Sequence, residues 1–373
     1  MKIVILGGGV AAFEAAVAAR QQDEGAEITL YSREAVLPYR RPALSGMVAQ
    51  DLDDARFYIK SADFYARERI DVRLGKTAEK IDLAAKRVEF SDGEKAGYDR
   101  LVIATGARPF VPPVPGLTGD KVAVLREFSD LENLRAKLNG NCRKVVVLGG
   151  GVLGLELAAA LLERGVEVTV IEAAPAIMPR NLDADAGRAV MEYLQKLPKL
   201  ALCFGVSAAN WDGKKLVLSD GTAVETDLVC VSAGVRANVG LAADAGMQCN
   251  RGIVVDAAMR AAGFDGVFAA GDVAECNGMG CGLYNTARAM GKTAGTNAAG
   301  GDASFAFEAM PVRLATFGLK IFSAGDVSGN GEGGGDVTNY RKLFRDASGK
   351  LRGAILMGNL ADALKLQAEI GGK

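Results

Sequence analysis

The 373-residue chain contains no histidine. That absence excludes Ser–His–Asp and Cys–His catalysis, histidine-ligated metals and every imidazole acid–base step. Any reaction must rely on carboxylate, Lys, Arg, Cys or Tyr groups, or on a bound cofactor. Aromatic residues are scarce, at 6%, which argues against base-stacking platforms. Neither sign of charge dominates, with 44 basic residues against 45 acidic ones, so no net field attracts nucleic acid or an anionic membrane. No uninterrupted apolar run reaches the roughly 18 residues of a transmembrane helix. The N-terminus passes from Met1 and Lys2 straight into an apolar strand, with no signal-peptide pattern. Cys142, Cys203, Cys230, Cys249, Cys276 and Cys281 are scattered, unlike a disulfide scaffold. A reducing cytoplasm is the expected home.

What the sequence does contain is one device used twice. Lys2 to Leu6 reads as a buried strand and is followed by Gly7-Gly8-Gly9-Val10-Ala11-Ala12, an Ala-rich helix to about Gln22, and a strand over Ile28 to Tyr31. Lys144 to Leu148 repeats the strand, followed by Gly149-Gly150-Gly151-Val152-Leu153-Gly154, a helix to about Arg164, and a strand ending at Glu172. A strand–glycine turn–helix–strand unit is the setting in which such glycines bind a dinucleotide. Gly7 and Gly149 permit the tight turn, and Gly9 and Gly151 let the backbone approach a pyrophosphate. Ala12 and Gly154 let the helix pack on the strand. The helix N-terminus then directs free N–H groups at the phosphates. Glu172, 23 residues after Gly149, stands where a ribose-binding carboxylate is expected. In the first copy Ser32 holds the matching place, and Glu34 is the nearest carboxylate.

Further punctuated strands follow: Leu101 to Gly106, Leu228 to Gly234, and Val267-Phe-Ala-Ala-Gly-Asp272. Asp272 reads either as a helix N-cap or as a ligand-binding carboxylate at the end of a buried strand. The Pro-rich run from Phe110 to Gly116 reads as an interdomain linker.

These elements and their order resemble the FAD-dependent pyridine nucleotide-disulfide oxidoreductase superfamily, which includes glutathione reductase and NADH oxidase. The likeness is greatest to NADH:rubredoxin oxidoreductases and related ferredoxin reductases. It is carried by Leu37-Pro-Tyr-Arg-Arg-Pro-Ala-Leu-Ser45, Ile103-Ala-Thr-Gly-Ala-Arg-Pro109, Ala233 to Asn238, Arg251 to Asp256, Val267 to Glu275 and Phe322 to Gly325. The resemblance implies an α/β fold of two Rossmann-like dinucleotide-binding domains and a small C-terminal α+β domain. The expected boundaries are 1–110 and 236–304 for FAD, 111–235 for NADH, and 305–373 for the C-terminal domain. It implies that Gly7, Gly9, Val10, Ala11, Ala12, Arg33, Glu34, Arg41 and Ala78 bind FAD. Asp272 would meet the ribityl chain and Tyr284 the pyrimidine end of the flavin. On the NADH side it implies Gly149, Gly151, Val152, Leu153, Gly154, Glu172 and Gly234, with Glu156 as an active-site acid near flavin and nicotinamide. Gly46 and Ala315 depart from relatives that carry a basic residue there.

Subfamilies differ in where the electrons leave. Disulfide reductases of this kind carry a C-x4-C pair soon after the first turn, but Pro38 to Gln50 contains no cysteine. Cys276 and Cys281 have that spacing elsewhere and read as ordinary thiols, a structural or regulatory disulfide, or a catalytic pair. Arg341, Lys342, Arg345, Lys350 and Arg352, with only Asp346 against them locally, read as a solvated hairpin face or as a docking face for an acidic electron carrier. The implied activity is electron transfer from NADH through FAD to rubredoxin or a similar iron-protein carrier, by a monomer or homodimer. The rivals are an oxygen-reducing NADH oxidase and a non-catalytic flavin redox sensor.

Overall fold

The structure, a computed structural model, describes residues 1–308 and 310–372. Ala309 and Lys373, both within the expected C-terminal domain, lie outside the described residues. Contacts divide the chain into two compact units. The first comprises Met1–Ala43, Leu52–Arg108 and Val235–Phe307, and the second comprises Leu44–Asp51, Pro109–Gly234 and the chain from Glu308 onward.

The first unit is built on a parallel sheet ordered Val267–Ala269, Arg100–Ile103, Lys2–Leu6, Glu27–Tyr31, Ile70–Arg73. Its inner strands are short and mostly apolar, as in residues 3–6 and 101–103, the pattern of strands buried on both faces. Lys2–Leu6 lies in the middle, and the chain order reverses on its two sides. Open α/β sheets take ligands at the carboxyl ends of strands flanking such a reversal. The helix Val10–Gln22 is rich in alanine because it meets a second helix, Tyr284–Ala298, at very short range. A Cβ added at Gly291 would stand 2.3 Å from the Ala11 carbonyl oxygen, and one at Gly295 would stand 2.0 Å from that of Ala15. Glycine on one helix and alanine on the other let the two backbones touch.

The second unit repeats the plan around Lys144–Leu148, in the order Leu200–Phe204, Glu167–Glu172, Lys144–Leu148, Leu228–Val231, Val122–Ala123. Each unit also carries a three-stranded antiparallel sheet in the same place along its chain, Ala78–Asp82 to Lys95–Gly97 in the first and Ala208–Trp211 to Ala223–Glu225 in the second. From Val312 the chain forms a five-stranded antiparallel sheet and the helix Ala363–Ile370. On one face of this sheet Leu314, Ile321, Tyr340 and Ile355 share a core with Val190 and Leu194 of the helix Ala184–Leu194. On the other, Phe322 and Leu356 lie under Leu366 of the terminal helix. The expected fold class, two Rossmann-like domains with a smaller C-terminal domain, is the one observed. No helix among the described residues is long and apolar enough to cross a membrane.

Candidate dinucleotide-binding sites

The two glycine turns separate glycines that the protein needs for itself from glycines that it does not. Gly7 and Gly149 adopt φ of +138° and +124°, where other residues are strained. A Cβ there would also stand 2.1 Å from the Ala104 oxygen and 2.4 Å from the Ser232 oxygen respectively. At Gly154 a Cβ would stand 1.9 Å from the Gly149 oxygen, so that glycine lets the helix sit on its own turn. Gly9 and Gly151, the N-caps of the two helices, are different. Their φ values of −89° and −79° suit any residue. A Cβ at Gly9 has the Arg41 Nε at 4.0 Å as its nearest neighbour, and one at Gly151 meets nothing within 4 Å. Neither fold nor packing calls for glycine at these positions. A phosphate group approaching the helix N-terminus supplies the missing reason, so the residues present fit a dinucleotide at both turns.

In the first unit the structure brings several expected residues to that turn. The Arg41 guanidinium pairs with Glu34 Oε1 at 2.5 Å, and the Tyr39 hydroxyl donates to Glu34 Oε2 at 2.7 Å. Gly75 N–H donates to the Glu34 carbonyl and Lys76 N–H to that of Ser32, which brings the start of the strand bearing Ala78 alongside. Arg33 is exposed. Gly271 packs on Ala11, where an added Cβ would stand 2.9 Å from the alanine methyl, and this sets Asp272 beside the turn carrying Val10 and Ala12. Asp272 is no helix cap: its carboxylate accepts the Gly282 amide at 3.0 Å. Tyr284 opens the helix Tyr284–Ala298. Ser32 is buried, with an Oγ that lacks a hydrogen-bond partner among the described residues. Tyr39, which orients Glu34, is a residue that sequence reasoning missed, although it stands inside the Pro-Tyr-Arg-Arg-Pro stretch.

In the second unit the Glu172 carboxylate accepts the amides of Gly150 at 2.8 Å and Ala174 at 2.9 Å. These bonds fix its orientation at the end of the strand. Val152 and Leu153 start the helix Val152–Glu163, Leu153 being exposed. Gly234 follows the neighbouring strand Leu228–Val231 and accepts the Phe110 amide through its carbonyl. Glu156, on the second turn of the helix, is mostly buried and accepts the Ser45 hydroxyl at 2.9 Å. Burial pushes its carboxyl above the usual carboxylate range, and the Ser45 donor offsets part of that rise. Ser45 reaches this unit because residues 44–51 pack there, a placement that no local pattern announces.

Two other expectations meet the structure. All six cysteines are free thiols. Cys276 Sγ lies 3.6 Å from the Asp256 carbonyl oxygen and Cys281 Sγ 3.5 Å from that of Leu283. Burial, with Asp272 nearby, pushes the Cys281 thiol up to about 12, and burial raises Cys276 as well. Neither is poised as a thiolate nucleophile. In the basic run over residues 341–352, Lys342 departs from the expected solvated or docking face. Lys342 is buried and bonds Asp183 at 2.6 Å and Asp185 at 2.7 Å. Arg341 pairs with Asp362, Arg345 with Glu369 and Arg352 with Asp326. The acidic partners come from distant parts of the chain, so a local count of charges overstated the positive field.

Comparison with known proteins agrees with this architecture. A family model for pyridine nucleotide-disulphide oxidoreductases matches residues 1–291. NADH-rubredoxin oxidoreductase of Clostridium acetobutylicum is 32% identical over 330 residues, covering 88% of this chain and 83% of that one. The crystal structure of that C. acetobutylicum enzyme superposes with a TM-score of 0.83 at 28% identity, over 100% of this chain and 95% of that one. A nitrite reductase (NAD(P)H) of Bacillus subtilis is 31% identical over 366 residues, 96% of this chain but 44% of its own length. This chain therefore spans about half the length of that relative, and 58% of a further one, rhodocoxin reductase of Rhodococcus erythropolis.

Proposed function

Because this chain belongs to the pyridine nucleotide-disulphide oxidoreductase family, we propose that it is an FAD-dependent oxidoreductase. It takes electrons from NADH and passes them to rubredoxin or a similar small iron-protein carrier. The observation that carries this reading is the pair of N-cap glycines, Gly9 and Gly151, which the protein's own packing does not require. In this reading the first turn, with Glu34, Arg41 and Asp272, holds FAD. The second, with Glu172 and Gly234, holds NADH, and Glu156 acts near the nicotinamide.

When bound, FAD supplies the redox chemistry, accepting two electrons from NADH and releasing them singly. The protein's own contribution is orientation. Amides at the two helix N-termini would hold the phosphates, and Glu172, oriented by the Gly150 and Ala174 amides, would hold the ribose. A thiol outlet is disfavoured because burial raises the pKa values of Cys276 and Cys281 and the stretch from Pro38 to Gln50 contains no cysteine. The names of the rubredoxin and ferredoxin reductases among its relatives favour an acceptor that would take electrons from bound FAD without a protein thiol between them. The deciding experiment is anaerobic titration with NADH followed by a panel of acceptors. Bleaching of the flavin by NADH and rapid re-oxidation by rubredoxin is the expected result. Re-oxidation by oxygen faster than by any carrier protein would make it an oxidase, and failure of NADH to bleach the flavin would overturn the reading altogether.

A further inference from the structure

Ser45 is buried and donates its hydroxyl to a carboxylate 111 residues away. The segment that bears it is clamped at two consecutive carbonyls. Arg135, from the helix Phe128–Leu138, donates through Nε to the Met47 oxygen at 2.8 Å and pairs with Asp51 at 2.7 Å. Arg164, just past the end of the helix that carries Glu156, donates to the Val48 oxygen at 3.1 Å and to the Asn139 side chain at 2.6 Å. Guanidinium groups on two successive carbonyls fix the segment to one residue in register, and that is what a hydroxyl needs to meet one carboxylate oxygen.

The charged groups on the elements around Glu156 have other commitments. Glu172 is taken by the Gly150 and Ala174 amides, and Arg313 lies over the Phe322 ring at 5.4 Å. Lys144 and Glu167 open their strands at the far ends, Glu163 lies two turns further along the same helix, and Arg135 and Arg164 are bonded as described. Among the described residues none of these forms an ion pair with Glu156, whose hydrogen-bond partner is the neutral Ser45 hydroxyl. A mostly buried carboxylate with a hydroxyl and no cation depends on that hydroxyl.

We propose that Ser45 is a positioning residue for the reaction with NADH. It holds the Glu156 carboxyl in one orientation beside the pyridine-nucleotide turn, with the carboxylate facing the positive charge that appears on the nicotinamide. This rests on the proposed function. In the step concerned a C–H bond of NADH breaks, the electron pair leaves with the hydrogen as hydride to the flavin, and NAD⁺ remains. Ser45 and Glu156 neither give nor take a proton in it. The hydroxyl also favours the charged form of Glu156, so its removal frees the carboxyl to rotate and raises its pKa further. At a given pH a smaller fraction is then carboxylate, and activity recovers only at higher pH.

The test uses the FAD-loaded protein and anaerobic stopped-flow reduction by NADH across pH. Ser45→Ala is expected to slow flavin reduction roughly tenfold at neutral pH, move the acid limb of the profile upward and leave NADH affinity unchanged. Ser45→Thr keeps the hydroxyl and restores the rate. In a Glu156→Gln background Ser45→Ala adds little, as expected of coupled residues. A second readout needs no turnover: the infrared band of the protonated carboxyl that Glu156→Gln removes should titrate at higher pH in Ser45→Ala. An unmoved band and an unmoved acid limb overturn the proposal, as does an equal slowing in the Glu156→Gln background. A wild-type flavin that NADH does not reduce would instead defeat the functional reading, and the infrared titration would still decide whether Ser45 holds Glu156.

Discussion

In the second unit the strand after the glycine turn ends at Glu172, whose two oxygens accept the amides of Gly150 and Ala174. In the first unit the matching residue is Ser32, so close to the turn that a Cβ on Gly8 would stand 2.2 Å from its Oγ. The nearest carboxylate, Glu34, is neutralised by Arg41 and bonded by Tyr39. The same backbone turn thus serves two different ways of reading what lies beyond it. One unit offers a carboxylate oriented in advance, and the other offers a hydroxyl in a narrow slot with its charge already paired. In the proposed function the turn is generic dinucleotide apparatus, and the residue after the second strand is where the two proposed sites would acquire separate identities.

The units differ also in what is packed on them, and the largest predicted effect tests that difference. Within the second unit the C-terminal sheet is fastened to the parallel-sheet part through Lys342, whose side chain is 8% exposed, against Asp183 at 10%. Burial works against its charge, but the two carboxylates beside it hold its pKa above the usual lysine value. Lys342→Ala leaves buried carboxylate charge without a cation and should cost about 3 kcal/mol, seen as a lower midpoint in urea unfolding. FAD content of the folded fraction should not change. If stability were unaffected while rubredoxin reduction failed, the residue would be a docking contact after all.

The next effect sharpens the comparison between glycines. Gly154→Ala sets a methyl against the Gly149 carbonyl and should destabilise the protein by about 1–3 kcal/mol with or without nucleotide. Gly151→Ala, which meets no protein atom, should stay within about 1 kcal/mol of wild type in stability and instead raise the KM for NADH. Equal losses of stability in the two variants would erase the distinction between a glycine kept for packing and one kept for a ligand.

Much of this was legible in the chain. Strand, turn and helix in each copy are set by neighbours within about 25 residues, so apolar runs and glycine spacing suffice to place them. The place of Glu172 at the end of its strand could be read because its distance from Gly149 is itself a local quantity. Two features escaped for the opposite reason. Residues 44–51 leave the first unit because Arg135 and Arg164 grip them, and those arginines lie about 90 and 116 residues away. Lys342 looked like one charge in an exposed basic run until Asp183, 159 residues earlier, was placed against it. Periodicity and composition carry no record of such partners.

A smaller effect concerns the choice of nucleotide. Glu172 is expected to accept the 2′-hydroxyl of NADH and to repel the 2′-phosphate of NADPH, and the residues after it, Ala173-Ala174-Pro175, offer no cation. Glu172→Ala should shift the ratio of kcat/KM for NADH over NADPH roughly tenfold toward NADPH. Glu34→Ala, the counterpart in the first unit, should leave that ratio alone and affect FAD retention only. An altered ratio in the Glu34 variant would mean that the two turns do not divide the nucleotides as proposed.

The smallest effect is expected where the first unit carries the only C-x4-C spacing in the sequence, Cys276 and Cys281. A redox-active pair needs one thiol that ionises readily and a geometry in which the two sulfurs can meet. Here each thiol donates to a different backbone carbonyl, and burial, reinforced for Cys281 by Asp272, raises both pKa values. At neutral pH almost none of the Cys281 population is thiolate. The Cys276→Ser, Cys281→Ser double variant should therefore reduce carrier protein within about threefold of wild type, because the proposed direct transfer from the flavin would not pass through sulfur. The informative measurement separates the two halves of turnover. A variant in which NADH still bleaches the flavin but acceptor reduction falls about 100-fold would make this pair the outlet. In that case the first unit, and not only the cofactor it is proposed to hold, would take part in handing electrons on.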